Sequence, residues 1–421
     1  MHIAIITAGG AGMFCGSCMH DNTWAKALRA AGVEVSLIPL YTPIRVEEED
    51  QTSSPVFFGG INTYMEGQFG WWSRIPRILT RWLDSPTVIR LATRRAISTD
   101  ARDLGAMTLS MVEGEQGPHR RAGEELAMYV SHLKPDIVCF SNALLCGSLR
   151  ALKQVHQGPV YCLLQGDDIF LDGLVEPYRS QVMSLMSQRS ADFDGYITHS
   201  DYYRDFMASY LTLPLDRFRQ LPLTLDSAPH DGQPKAVTGN PPTIGYFARV
   251  CPEKGLDRLV QAVLLLRQRI PNVRLRAGGY LGLQHQSYFN DIVKAAAPLG
   301  KDFEYIGSPD DKSEKIEFLK TLDVLSVPTI YHEPKGIYVL EAWANGLPVV
   351  LPAHGAFPQL VESTGGGLLV PPDSPEQLAD ALERVLTNDS LRLELAQRGH
   401  AGVRQNHSPE KLAQATMALF G

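Results

Sequence analysis

Short apolar runs alternate with amphipathic segments along almost the whole chain, and that alternation restricts the fold more than any other feature. HIAIITA (2–8) reads as a strand. A glycine-rich turn follows, and then DNTWAKALRAAG (21–32) repeats its apolar positions with a helical period that Gly32 ends. VEVSLIPL (33–40), PDIVCF (135–140), PVYCLL (159–164) and DGYITHS (194–200) are further strands, and helical patterns separate them. The second half repeats the plan with TIGYFARV (243–250), VRLRAGG (273–279), FEYIG (303–307), VLSVPT (324–329), PVVLP (348–352) and GGLLV (366–370). Near-continuous apolar strands spaced by helices form a parallel sheet covered on both faces, so the expected class is α/β.

A chain of 421 residues exceeds one ordinary core, and the break falls in Asp226–Pro242, a polar, Pro- and Gly-rich stretch without periodicity that reads as a linker. The expected division is 1–228, 229–400 and a C-terminal helix over 401–421 packing back on the N-terminal domain. Two doubly wound domains leave a cleft between them, and ligands of such sheets bind outside the carboxyl ends of the strands.

Charge and cysteine usage exclude several classes. A net charge of -7 argues against nucleic acid as a partner. The N-terminus does not read as a signal peptide, and no apolar run approaches the roughly 18 residues of a membrane span. The expected location is cytoplasmic. Six cysteines in this setting read as reduced thiols, with Cys139 and Cys162 as buried hydrophobes. One segment, Gly70–Ile97, breaks the alternation: Arg74, Arg77, Arg81, Arg90, Arg94 and Arg95 are interleaved with Trp71, Trp72 and Trp82. It reads as an amphipathic insertion, either a lid on the acceptor side of the cleft or, through 71–95, a peripheral membrane contact.

The chemistry-bearing residues concentrate in the second half. Arg249 ends one strand, and Lys254 follows just before the helix of GLDRLVQAVLLL, a suitable seat for a diphosphate. HEPKGIYVLEAWANGLPVV places Glu333 in a loop, Gly336 and Ile337 at a helix start where backbone amides can approach a ligand, and Glu341 about a turn further on. There Glu341 can bridge ribose hydroxyls while Glu333 accepts from a sugar. Such a site stabilises a leaving diphosphate electrostatically.

With Gly255, Ala342, Gly346, Pro348, Val349 and GGLLVPPDS, these residues resemble the R…KG element and the E-x7-E motif of the retaining glycosyltransferases of family 4. The resemblance implies the GT-B fold, two Rossmann-like doubly wound parallel-sheet domains facing a central cleft. It also implies a nucleotide-sugar donor bound by the C-terminal domain through Arg249, Lys254, Gly336, Ile337 and Glu341, with Arg249 and Lys254 on the distal phosphate. Glu333 then lies near the sugar and no metal or other cofactor is obligatory. The implied activity is transfer of a hexose with retention to an acceptor hydroxyl on a sugar, a small molecule or a lipid-linked molecule. An NDP-sugar epimerase or hydrolase, a non-catalytic nucleotide-sugar binder, and a flavin or NAD oxidoreductase are the alternatives.

In the first half, Gly9, Gly10, Gly12 and Gly16 do not fit G-x-G-x-x-G, so no dinucleotide fingerprint is present. Gly10 and Gly12 instead match the family's first loop, which faces diphosphate and acceptor. Cys15 and Cys18 form a single C-x-x-C, read as loop packing, and no metal-ligand spacing appears among the histidines. Where many relatives carry His-Gly-Asp, this chain has Gln165, Gly166 and Asp167, followed by Asp168. Gln165 is expected to hold a sugar hydroxyl without titrating, and Asp167 and Asp168 to line the cleft, with helix capping as the plainer role.

Overall fold

A computed structural model of the chain describes residues 1–9, 16–40, 44, 46, 49–53, 65, 72, 75, 77–80, 101–309 and 311–421. It divides into two compact units: Met1–Leu221 with Ala413–Gly421, and Pro222–Leu412. Both are parallel-sheet α/β units.

The first unit runs β1 (His2–Thr7), α1 (Gly16–Ala30), β2 (Glu34–Pro39), α2 (Ala101–Val112), α3 (Arg120–Leu133), β3 (Ile137–Phe140), β4 (Val160–Leu163), α4 (Asp167–Asp172), α5 (Tyr178–Ser190), β5 (Gly195–Thr198), α6 (Asp201–Tyr210) and β6 (Phe218–Gln220). Its six strands lie in the order β2-β1-β3-β4-β5-β6, all parallel. Strand order reverses between β1 and β3, which opens a crevice at their carboxyl ends. Every residue of β1 is buried, as an apolar strand in mid-sheet requires. The final residues belong here as well: Trp24 donates its indole N–H to Thr416 Oγ1 at 2.9 Å, and Phe420 packs on Tyr161.

The second unit runs β7 (Thr243–Phe247), α7 (Leu256–Arg267), β8 (Arg274–Gly278), α8 (Gln286–Ala295), β9 (Phe303–Tyr305), α9 (Lys312–Lys320), β10 (Val324–Leu325), α10 (Ile337–Ala344), β11 (Val349–Pro352), α11 (Phe357–Thr364), β12 (Gly367–Val370), α12 (Pro375–Thr387) and α13 (Asp389–Asn406). The parallel order is β12-β11-β10-β7-β8-β9, with the reversal between β7 and β10. Each helix buries a stripe of period 3.6 on one sheet face. Leu259, Val263 and Leu266 of α7 meet Leu378, Leu382 and Val385 of α12 on one side. Phe318 and Leu319 of α9 join Val339 and Trp343 of α10 on the other.

Asp226–Pro242 has the composition of a tether, yet it lies within the second unit and is fastened there. Asp323 accepts from the amides of Gly239 and Thr243 at 2.8 Å each, and Arg392 donates to Ala236 O at 2.8 Å. Pro and Gly mark where the chain departs from helix and strand, and these polar side chains supply the hydrogen bonds that the irregular backbone needs. Among the described residues no helix is long and apolar enough to cross a membrane.

The Asp323 clamp gives a stability prediction. Asp323→Ala leaves two amides without their charged acceptor, and each such bond is worth roughly 1.5–3 kcal/mol. Urea unfolding should show a clearly lowered midpoint for the transition of the second unit; an unchanged midpoint would mean that the segment is held by other contacts.

Candidate active site

The crevice at the β7/β10 reversal holds the residues that the sequence marks out. Beyond β7, the amides of Ala248 and Val250 bond to Gly278 O and Tyr280 O, and Tyr246 donates its hydroxyl to Arg249 O at 2.9 Å. The backbone of Arg249 is thereby fixed while its side chain is exposed, in the field of Glu253 and Glu333. A short 3-10 turn, Pro252–Lys254, leads to Gly255 at φ 69°. A Cβ at Gly255 would stand 1.9 Å from Pro328 O, so the turn that starts α7 sits directly on the loop after β10.

That close approach brings Lys254 onto Glu333. Lys254 Nζ lies 2.5 Å from Glu333 Oε2 and 2.7 Å from the Tyr331 hydroxyl, with both side chains buried. The ammonium also rests over the rings of Tyr331 and Tyr338, 4.9 and 5.2 Å from their centroids. Tyr338 donates to Glu333 Oε2 at 2.8 Å. Burial alone would raise the Glu333 pKa, but the Lys254 charge and bond, with the hydroxyls of Tyr338 and Tyr331, overrule it and hold the carboxyl below its usual range.

Helix α10 starts at Gly336, whose φ of 80° turns the loop into the helix. Glu341 follows on the buried side, and its Oε1 accepts from Lys315 Nζ of α9 at 2.6 Å. The loop after β11 closes the crevice: Ala356 donates its amide to Glu333 O at 2.8 Å, and His354 Nε2 lies 2.9 Å from Thr329 O. Arg249, Lys254, Glu333, Gly336, Ile337 and Glu341 therefore share one end of one sheet. Chemically the arrangement offers an exposed cation beside a buried, neutralised ion pair, next to a helix start and a second buried carboxylate.

Gln165 and Asp167 lie in the first unit. Gln165 is 4% exposed, and its amide nitrogen donates to Asp21 Oδ1 and to Ser141 O, both at 3.0 Å. Asp21 also accepts from Thr7 Oγ1 at 2.6 Å. Asp167 accepts from the amides of Ala143 and Gln165, and burial pushes its pKa up to about 6. Asp168 accepts from Tyr203, whose hydroxyl in turn accepts from the amides of Gly166 and Asp167. These groups tie the carboxyl ends of β1, β3 and β4 to α1 and α6. Gly10, Gly12 and Cys15 lie outside the described residues, as does the Arg/Trp segment apart from Trp72, Ile75 and Arg77–Thr80. Cys18, Cys139, Cys146, Cys162 and Cys251 are buried thiols, and burial pushes those of Cys146 and Cys251 up to about 12 and 11. Among the described residues no group of three or more His, Cys, Asp or Glu side chains is placed to hold a metal ion.

Sequence reasoning missed Lys315, Tyr331, Tyr338 and Asp21. Lys315 carried a signal, since it falls in register with the apolar positions Phe318, Leu319 and Leu322. Asp21 likewise sits on the buried stripe of α1.

With this geometry in view, comparison with known proteins places the second unit. Residues 230–401 match the family model for glycosyl transferases group 1. A D-inositol 3-phosphate glycosyltransferase of Corynebacterium aurimucosum is 33% identical over 161 residues, 37% of each chain. The lipopolysaccharide core biosynthesis glycosyltransferase LpsE of Rhizobium meliloti is 32% identical over 182 residues, 42% of this chain and 49% of the relative. The chain thus spans less than half the length of these curated relatives. Solved structures cover all of it: sucrose-phosphate synthase of Thermosynechococcus elongatus has a TM-score of 0.69 at 19% identity and 98% coverage of that chain. HepE of Anabaena, solved in complex with UDP, has 0.67 at 14% identity and 99% coverage. The fold is GT-B.

Lys254→Met would strand Glu333 as a buried, uncompensated carboxylate, a loss of roughly 3–5 kcal/mol. In the wild type the carboxyl's folded pKa is depressed, so its contribution is present above the unfolded value and lost only as pH falls through the folded one. In the variant, without its counter-charge, burial should dominate and Glu333 should take up a proton at a higher pH than in the wild type. Thermal unfolding should therefore show a deficit at pH 8 that narrows at pH 5. A deficit independent of pH would contradict the pairing.

Proposed function

We propose that this chain is a glycosyltransferase that moves a hexose from a nucleoside diphosphate sugar to an acceptor hydroxyl, with the donor held by the Arg249–Lys254–Glu333 crevice. The observation that carries the proposal is the buried Lys254–Glu333 pair beside exposed Arg249, at the β7/β10 reversal and inside the segment that matches the group 1 glycosyl transferases. A neutralised lysine and an adjacent exposed guanidinium suit a ligand that arrives as a dianion and gains charge on departure.

In the proposed reaction the bond between the anomeric carbon and the diphosphate oxygen breaks, and Arg249 and Lys254 take up the charge growing on the leaving phosphate. Binding of that phosphate draws part of the Lys254 field away from Glu333, whose carboxylate then accepts from a sugar hydroxyl. The acceptor oxygen attacks on the face that the leaving group departs from, its proton passes to the phosphate, and configuration is retained. No metal is assigned a role, because the two cations meet the charge. Glu341, buried a turn into α10, takes the ribose diol. Relatives named for inositol-phosphate and phosphatidyl-inositol acceptors make a polyol hydroxyl a reasonable first acceptor to try.

The test is release of nucleoside diphosphate from UDP-, GDP- and ADP-hexoses, first by slow hydrolysis and then with candidate acceptors. One donor series should turn over, and Arg249→Ala should weaken binding of its nucleoside diphosphate roughly 10- to 100-fold, as expected for a lost charge-assisted contact. Turnover should fall further still. Wild-type affinity and turnover in Arg249→Ala would remove the crevice from the reaction.

A further inference from the structure

We infer that Lys315 is a positioning residue for the nucleotide: it holds Glu341 by one carboxylate oxygen and aims the other at the two hydroxyls of a ribose. The inference rests on the donor site proposed above and concerns a residue that lies outside both sequence motifs.

The two side chains meet at 2.6 Å, Lys315 at 3% exposure and Glu341 at 5%. They come from different helices on the same face of the second sheet, with Phe318, Leu319, Val339 and Leu340 packed around them. Lys315 Nζ also stands 5.8 Å from the ring centroid of Phe247, the last residue of β7. Removing a carboxylate and an ammonium from water costs several kcal/mol per ion, so a hydrophobic pair of the same volume would stabilise the packing as well or better. Packing therefore does not account for the pair. The need to fix a carboxylate one turn into α10 does, because the ammonium holds one Glu341 oxygen in a single place at that depth.

The geometry fits the role. Glu341 Oε1 is committed to Lys315, and Glu341 O accepts from Asn345 Nδ2 at 3.0 Å, so backbone and side chain are both held. Asn345 in turn lies 2.8 Å from His230 Nδ1. His230 also feels the charges of Lys312 on α9, Asp226 before β7 and Arg404 on α13. Burial, with the charges of Lys312 and Lys315, lowers the His230 pKa to about 3, so that imidazole stays neutral between pH 6 and 8.

The experiment measures binding of three probes to the wild type, Lys315→Met and Lys315→Arg. They are the nucleoside diphosphate that the wild type binds best among UDP, GDP and ADP, its 2′,3′-dideoxy counterpart, and inorganic pyrophosphate. The wild type should prefer the ribose form to the dideoxy form by roughly 10- to 100-fold, as for a lost pair of charge-assisted hydrogen bonds. Lys315→Met should lose most of that preference while binding pyrophosphate as the wild type does. Lys315→Arg should restore the preference. If Lys315→Met fails to fold, the double variant Lys315→Met/Glu341→Gln removes both charges, and it should fold without discriminating the two nucleotides. A wild-type preference for the ribose form in Lys315→Met, or in the double variant, would overturn the inference. A wild type that binds no nucleoside diphosphate would instead overturn the donor site itself.

Discussion

The second unit is organised around charges that have no access to bulk water. A lysine and a glutamate buried side by side are tolerated only when each finds its partner and the remaining lone pairs and protons are used. Lys254 and Glu333 meet that condition through the hydroxyls of Tyr331 and Tyr338. The rest of the crevice follows from bringing them together. Gly255 is required because the α7 turn rests on Pro328 O, and the loop after β11 is pinned to Glu333 O. Helix α10 therefore lies between two buried ion pairs, Lys254–Glu333 at its start and Lys315–Glu341 a turn later. The first faces the position proposed for phosphate and sugar, the second that proposed for ribose.

The two units share a layer plan and differ in what they place at the strand-order reversal. In the first, Asp21, Thr7 and Gln165 are linked by buried hydrogen bonds, and Asp167 and Asp168 accept from backbone amides and Tyr203. In the second, Arg249 is left exposed. Similar sheets thus carry a buried polar network in one case and an exposed guanidinium beside a buried ion pair in the other, and the difference lies in a few side chains rather than in topology.

Much of the fold could be read from the chain because its strands are apolar throughout, and each strand expected from the sequence has its counterpart in the structure. Among the described residues, the strand Phe218–Gln220 is not expected from the sequence; it lies at a sheet edge with Arg219 and Gln220 exposed, so no apolar run marks it. At the site, Arg249, Lys254, Glu333 and Glu341 could be picked out because each stands at or near a strand-to-helix junction. Lys315 could not be found that way. It stands in KSEKIEFLK, where charges cover every side of the helix, and only its register with Phe318 and Leu319 shows that it is buried. Gln165 shows the opposite limit: a motif position indicates where a side chain starts, and its partners, Asp21 and Ser141, are far away in sequence.

The central claim, that the β7/β10 crevice of the second unit seats a nucleoside diphosphate, is tested most directly by a crystal structure of the chain soaked with the nucleoside diphosphate it binds best. The account predicts density with the phosphates against Arg249 and Lys254 and the ribose against Glu341. Density elsewhere, with that crevice unchanged, would contradict it.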